Sequence, residues 1–445
     1  TKVRLGNIIK TQSKIEGWAM VNNRNKQLRL LSLFSGCGGM DLGFEGDFDV
    51  LKDSVNMARN SDWIDEKKSG DFWVHLKKNR FSTVFANDIR PDAQAAWQKY
   101  FSTKKDKSVY RLQSVVDLVK NEKEGKAHVF PENIDIVTGG FPCQDFSVAG
   151  KRLGFNSDKR HDGKKINDDD FPSVESRGQL YMWMREVISL TQPKMFVAEN
   201  VKGLVSLSDA KETIERDFEN ISENGYLVVD AKVLHAADYG VPQSRERVIF
   251  FGFKKSALTP EALTELSKKE ISKKYDPYPP ATHAYTGNSG KDLQTPVTVR
   301  TALSGLSEPE NSDDPSQRQY SKGKFLGKSL QGQTEVHLDS IGPTIRSEHH
   351  GNIEYRRLSS EHGGTHIEEL SANLPERRLT VRECARIQTF PDDYEFVFEK
   401  KEDVCGVSAS NAYKIIGNAV PPLLGYNIAK RLEKNWELYF GKDKG

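Results

Sequence analysis

Short apolar runs alternate with stretches of helical periodicity along residues 28–253. The runs at 29–34, 82–87, 134–138, 195–199, 227–234 and 247–253 have the length and composition of strands. The stretches at 91–101, 178–190 and 209–224 read as helices. This alternation predicts an α/β fold built on a doubly wound sheet. Two segments interrupt it. Residues 46–80 read as helix-like, and residues 151–177 form a long polar run that predicts a loop. The texture changes after about Lys254. YPPATHAYTGNSG (278–290) reads as a linker, and from there to about 405 the pattern is weak and irregular. In 411–437 apolar residues recur at helical spacing after Pro422, which predicts a helix that packs back on the sheet. The expected organisation is a first domain over 1–280, a smaller one over 281–405, and a C-terminal segment over 406–445 that completes the first.

The chain has 445 residues, of which 36% are hydrophobic and 29% charged, as expected of a globular protein with a wet surface. It holds no 18-residue apolar run, so no membrane contact is expected. The first 27 residues lack an apolar signal core, which argues against secretion. Net charge is +2, so a nucleic-acid partner requires a local basic face. The four cysteines, Cys37, Cys143, Cys384 and Cys405, form no Cys-x-x-Cys pair and no zinc spacing with histidines. Free thiols in a reducing compartment and no metal are the expectation.

Reactive residues stand where the apolar runs end. In an open α/β sheet, ligands bind beyond the carboxyl ends of the strands. FSGCGG (34–39) offers a tight turn that a ligand can approach closely. Its glycines start a dinucleotide fingerprint that breaks at Asp41. Asp88 ends the second run, where an acid either accepts from ribose hydroxyls or caps the helix after Pro91. Cys143, in GGFPCQDFS, stands in an exposed Gly/Pro turn. That favours a nucleophile over a packed thiol; Cys37, Cys384 and Cys405 read as small packed side chains. Glu199 leaves the apolar run KMFVA, so partial burial is expected to raise its pKa and suit it to proton donation, with a salt bridge or cap as the alternative. Arg245 and Arg247 in QSRERVIFF share one strand face and suit a phosphate or carbonyl oxygen, or else alternate on a solvated edge.

FSGCGG, ANDI, GGFPCQDFS, ESRGQL, AENVKGL, QSRERVIFFG, RRLTVRECARIQTFPDDY (377–394) and IGNAVPP (416–422) follow one another in the order found in the DNA (cytosine-5) methyltransferase family. Together they span nearly 400 residues, and the chain resembles the bacterial restriction–modification type of that family. The resemblance implies a Rossmann-like, S-adenosylmethionine-dependent methyltransferase fold with an inserted target-recognition domain. It implies double-stranded DNA as substrate and a flipped-out cytosine. Cys143 would attack ring carbon 6, Glu199 would hold nitrogen 3, and Arg247, with Arg245 beside it, would contact the carbonyl oxygen. S-adenosylmethionine would methylate carbon 5 and leave as S-adenosylhomocysteine. By position, Phe34 would stack on the adenine, Ser35, Gly36, Cys37, Gly38 and Gly39 would line the methionine end, and Asp88 would hold the ribose. Ile89 would contact the adenine, and Gly140, Pro142, Leu180 and Asn418 would complete the pocket. Gln144, Ser147 and Arg177 belong to a loop that closes on DNA. Thr344 and Ile345 match the base-contacting pair of the recognition domain, with Arg346, His349, His350 and Asn352 as polar neighbours. An acid that the family often places near the adenine amino group is replaced here by Gln113 or Ser114.

The resemblance further implies a cytoplasmic, nucleoid-associated enzyme of a prokaryote or phage, acting as a monomer. It would be paired in function, without a stable complex, with a restriction endonuclease. Three rivals are weaker. A tRNA cytosine-5 methyltransferase would carry a shorter recognition segment. An inactive DNA-binding relative would not need Cys143, Glu199, Arg245 and Arg247. A dinucleotide oxidoreductase conflicts with Asp41.

Overall fold

A computed structural model describes residues 26–142, 180–207, 209–222, 225–287, 290–347, 353–401 and 405–442. Cys143, Gln144, Ser147, Arg177, His349, His350, Asn352 and the loop expected over 151–177 lie outside them.

Seven strands form the central sheet: β1 (Leu28–Leu33), β4 (Phe81–Asp88), β5 (Tyr110–Leu112), β6 (Ile136–Gly140), β7 (Met195–Val201), β8 (Tyr226–His235) and β9 (Glu246–Lys254). Their spatial order is β5-β4-β1-β6-β7-β9-β8. The first five strands of that order run parallel, and β9 and β8 close one edge antiparallel. The chain winds outward from β1 to β5, then returns to β6 on the other side of β1. The switch therefore falls between β1 and β6, where the carboxyl ends leave a crevice.

Side-chain alternation fills both faces. In β1, Leu30 joins one buried cluster and Leu31 the other. The first face is covered by α1 (Gly39–Glu45), α2 (Pro91–Phe101) and the long C-terminal helix Pro422–Phe440. The second is covered by α3 (Val115–Lys123), α4 (Leu180–Thr191) and α5 (Ala210–Glu219). No helix among the described residues is long and apolar enough to cross a membrane.

Three expectations are corrected. Residues 46–80 are not chiefly helical: β2 (Phe48–Leu51) and β3 (Trp73–Leu76) pair antiparallel in a hairpin, with Val50 opposite Val74. The alternation in FDVL and WVHL buries one side of each strand, a period-2 signal weakened by the polar residues between them. Within the stretch expected as a linker, residues 278–287 are not loose, because Thr282 and His283 donate their N–H groups to the Asp238 carbonyl and His283 is fully buried. β5 was missed because three residues carry too little period-2 signal.

The C-terminal region ties three parts of the chain together. The helices Val381–Ile387 and Ala409–Asn418 are well buried. Thr380 and Glu383 form a reciprocal capping box at the start of the first. Residues 377–398 fall inside the span expected for the second domain, yet they pack on the glycine turn. The Tyr394 hydroxyl donates to the Cys37 carbonyl, and its ring stacks on Tyr100 with centroids 4.6 Å apart.

Candidate active site

The turn after β1 is built for close approach. Phe34, Gly36 and Gly38 all have positive φ, at 52°, 53° and 79°. A Cβ on Gly38 would lie 2.5 Å from the Trp97 ring, and one on Gly39 would lie 2.2 Å from the Val420 carbonyl. One side of the turn is therefore backed by α2 and the C-terminal segment. A Cβ on Gly36 would meet nothing within 4 Å, so that side is open. Cys37 is fully buried with its thiol on the Ile415 carbonyl at 3.3 Å, and burial pushes its pKa far up. It is a packing residue of the turn and not a nucleophile. Cys384 is likewise buried, whereas Cys405 is exposed, against the packed reading.

Asp88 ends β4 opposite this turn. One carboxylate oxygen accepts from the Gly36 N–H at 3.0 Å, and the other accepts from Ile89 and Arg90 N–H at 2.8 and 3.0 Å. Asp88 thus fixes the glycine turn and the chain entering α2 through backbone N–H groups, without capping that helix. Burial raises its pKa, against the pull of those amides. Ile89 is 46% exposed beside it, as an apolar contact surface requires. Asn418 is exposed, Pro142 and Phe34 are partly buried, and Leu180 is buried at the start of α4. Gln113 is exposed, while Ser114 caps α3 by accepting from Val116 N–H.

A second group lies across β6, β7 and β9. Gly140 is the register partner of Glu199, and Val201 that of Arg247. Glu199 is 7% exposed, and its carboxylate meets the Arg247 Nε at 2.6 Å. Burial pushes the Glu199 pKa up, while Arg247 and then Arg245 pull it down. A Cβ on Gly140 would lie 2.6 Å from the second Glu199 oxygen, so glycine is what leaves room for the acid. Asn200 donates its side-chain N–H to the Phe141 carbonyl at 3.2 Å. This holds Phe141 and Pro142, the two residues before Cys143, against the end of β7.

Arg245 and Arg247 have different surroundings. Arg245 is fully buried, and its guanidinium donates to the carbonyls of Ile345 at 3.0 Å and of Gly417 and Ala419 at 2.8 Å each. A catalytic place beside Arg247 is therefore corrected to a structural one. The geometric reason is that Arg245 precedes β9, so it turns into the junction of three chain segments. Thr344 donates its hydroxyl to the Ser244 carbonyl, and Ile345 is fully buried with its N–H on the Gln243 side chain at 3.0 Å. These contacts join residues 344–345 to the segment just before β9. Arg346 pairs with the buried Glu354 at 2.7 Å.

Three residues central to this arrangement were not singled out from sequence. Gln243 and Gln388 are buried with their amides 2.5 Å apart, and Gln388 also donates to the Ala419 carbonyl at 2.6 Å. Asp41, read from sequence only as a broken fingerprint, is buried beneath the glycine turn. It accepts from Ser32 at 2.5 Å and from the Trp97 indole at 2.8 Å. Ser32 in turn accepts from Ser35 at 2.8 Å. Gln243 and Gln388 stand inside motif strings and Asp41 lies two residues beyond one, so only their roles were hidden.

A family model described as C-5 cytosine-specific DNA methylase matches residues 28–434. The chain belongs to the C-5 cytosine-specific DNA methylases. Curated relatives of this methylase include the type II methyltransferase M.BsuRI of Bacillus subtilis, 30% identical over 97% of this chain and 85% of its own length. M.BspRI of Lysinibacillus sphaericus is 31% identical over 93% and 83% respectively. Among solved structures, the Dnmt2 methyltransferase of S. pombe superposes with a TM-score of 0.53 at 19% identity, covering 92% of this chain and 99% of its own. That likeness shows the fold. The methylase is a DNA (cytosine-5-)-methyltransferase, which uses S-adenosylmethionine and takes DNA as substrate. Its open glycine turn, the Asp88 carboxylate and exposed Ile89 fit such a cofactor.

Proposed function

We propose that this enzyme methylates carbon 5 of a flipped-out cytosine within one short duplex sequence, through a transient bond to Cys143. The observation that carries this reading is the buried Glu199–Arg247 pair, set against Gly140 three residues before Cys143. The Cys143 thiolate adds to ring carbon 6. Glu199, with its pKa raised by burial, holds a proton at ring nitrogen 3 as electron density builds there. Arg247 places positive charge at the carbonyl oxygen of the same ring. Together they turn carbon 5 into a nucleophile, which neither thiol nor acid achieves alone. Bound S-adenosylmethionine supplies the electrophilic methyl group. A base, water included, then takes the carbon-5 proton, and the ring expels the Cys143 thiolate.

Asp88 and the turn at 34–39 hold the cofactor's ribose and methionine ends, with Phe34 and Ile89 against the adenine. Gly140, Pro142, Leu180 and Asn418 finish the pocket. Gln144, Ser147 and Arg177 close on DNA. The type II methyltransferase names of its relatives support a role in protecting DNA against a cognate restriction endonuclease. The proposal further takes the enzyme to act as a cytoplasmic, nucleoid-associated monomer without a metal. The test is transfer of tritiated methyl groups by purified enzyme into plasmid DNA and, separately, into bulk tRNA. Label in DNA, lost in Cys143→Ala, is expected. Label in tRNA alone would overturn the reading.

A further inference from the structure

Ile345 is fully buried and faces no DNA, whereas Thr344 is half-buried. The stretch that precedes them in the chain supplies a candidate DNA-facing surface. Residues 315–334 contain Arg318, Lys322, Lys324 and Lys328 and no acidic side chain, in a chain whose net charge is only +2. Here lies a local basic face of the kind a weakly charged nucleic-acid enzyme requires. Within the same loop, Leu326 is 67% exposed and Leu330 is 51% exposed. Two exposed leucines among lysines do nothing for a fold. Ile367 is more exposed still at 74%, but it stands beside Glu368 and Glu369, where DNA would be repelled.

The base of this loop is held firmly. The Arg378 guanidinium, itself buried, donates to the carbonyls of Gly323 at 3.1 Å and Gly332 at 2.6 Å, and to that of Ile353. Phe325 stacks on His362 with centroids 4.3 Å apart. The Leu326 N–H donates to Gln333 at 2.9 Å. Preorganised loops of this kind bind without a large ordering cost. Arg378 thus ties both ends of the loop, Gly323 and Gly332, to Ile353.

Resting on the methylation of duplex DNA proposed above, we infer that residues 322–330 form a DNA-contacting loop that helps to select the target sequence. In it Lys322 and Lys324 face phosphates, and Leu326 and Leu330 press on base edges in the groove. The occupant is the duplex flanking the flipped cytosine. Phosphate contacts position the loop and carry no sequence information, whereas apolar contact with a base edge, such as a thymine methyl, does.

Two variants separate these roles. For Lys322→Gln/Lys324→Gln, binding of a labelled plasmid fragment is measured across a salt series. The slope of log Kd against log salt should fall by about 0.9 for each lysine facing a phosphate, so by nearly two for the pair. An unchanged slope overturns the phosphate contacts. For Leu326→Ser/Leu330→Ser, bisulfite sequencing of treated plasmid should show methylation at near-cognate sites rising about tenfold relative to the cognate site. An unchanged site distribution in a variant with wild-type thermal stability overturns the base contacts. A wild-type enzyme that binds and methylates no DNA would instead overturn the functional reading, and this loop assignment with it.

Discussion

Replacing Gly140 by alanine tests the core of the site with one methyl group. The new Cβ would lie 2.6 Å from a Glu199 carboxylate oxygen, a separation real Cβ atoms essentially never show. Glu199 must move by several tenths of an ångström to restore ordinary contact. It has little freedom to do so, being 7% exposed and held by Arg247 at 2.6 Å. A displaced acid no longer meets ring nitrogen 3 and Arg247 together. Misplacement on the ångström scale costs on the order of 10²-fold in rate. Partial loss of the buried pair adds a stability cost of roughly 1–3 kcal/mol, below the 3–5 kcal/mol of deleting one partner outright. The assay is single-turnover methyl transfer with saturating DNA and cofactor, alongside urea unfolding. A rate within twofold of wild type would refute the reasoning, since it would mean that the position of the Glu199 carboxylate does not limit the chemistry.

The two arginines should separate cleanly. Arg245→Met strips three carbonyls of a donor and should cost roughly 3–5 kcal/mol in urea unfolding; Arg247→Met should lower the methyl-transfer rate far more than it lowers stability, and equal effects would contradict the division of roles. Asp88→Ala should weaken S-adenosylhomocysteine binding at least about tenfold by calorimetry, and unchanged affinity would remove the ribose assignment. Asp41 is raised by burial from 3.8 to about 6, against Ser32 and Trp97. A raised acid favours the protonated folded state, so its stabilising contribution is full below about pH 4 and is lost as pH rises through about 6, by roughly 3 kcal/mol. Asp41→Asn should lack this component, and identical urea stability profiles from about pH 4 to 7 in both proteins would refute it.

The six long strands were legible because each has several apolar residues bounded by turn signals, and the family order of motifs pointed to Glu199, Arg247 and Asp88 at strand ends. The Arg245 role was not legible. From sequence it shares a strand face with Arg247; in the fold it precedes β9 and turns into carbonyls 100 to 174 residues away in the chain. The burial of Ile345 was hidden for the same reason, since the string shows residue types and not the Ser244 and Gln243 groups that hold Thr344 and Ile345. Gln388 stood within a motif and Asp41 just beyond one, yet the hydrogen bonds that define what they do are not visible in the string. The hairpin at 48–76 was hidden by its polar intervening residues.

Bisulfite sequencing of plasmid DNA from a methylase-free host expressing this chain, with a Cys143→Ala control, tests the central claim most directly. The account predicts protected cytosines at one short sequence, absent from the control. No protected cytosine from soluble, folded protein, or protection that persists in Cys143→Ala, would contradict it.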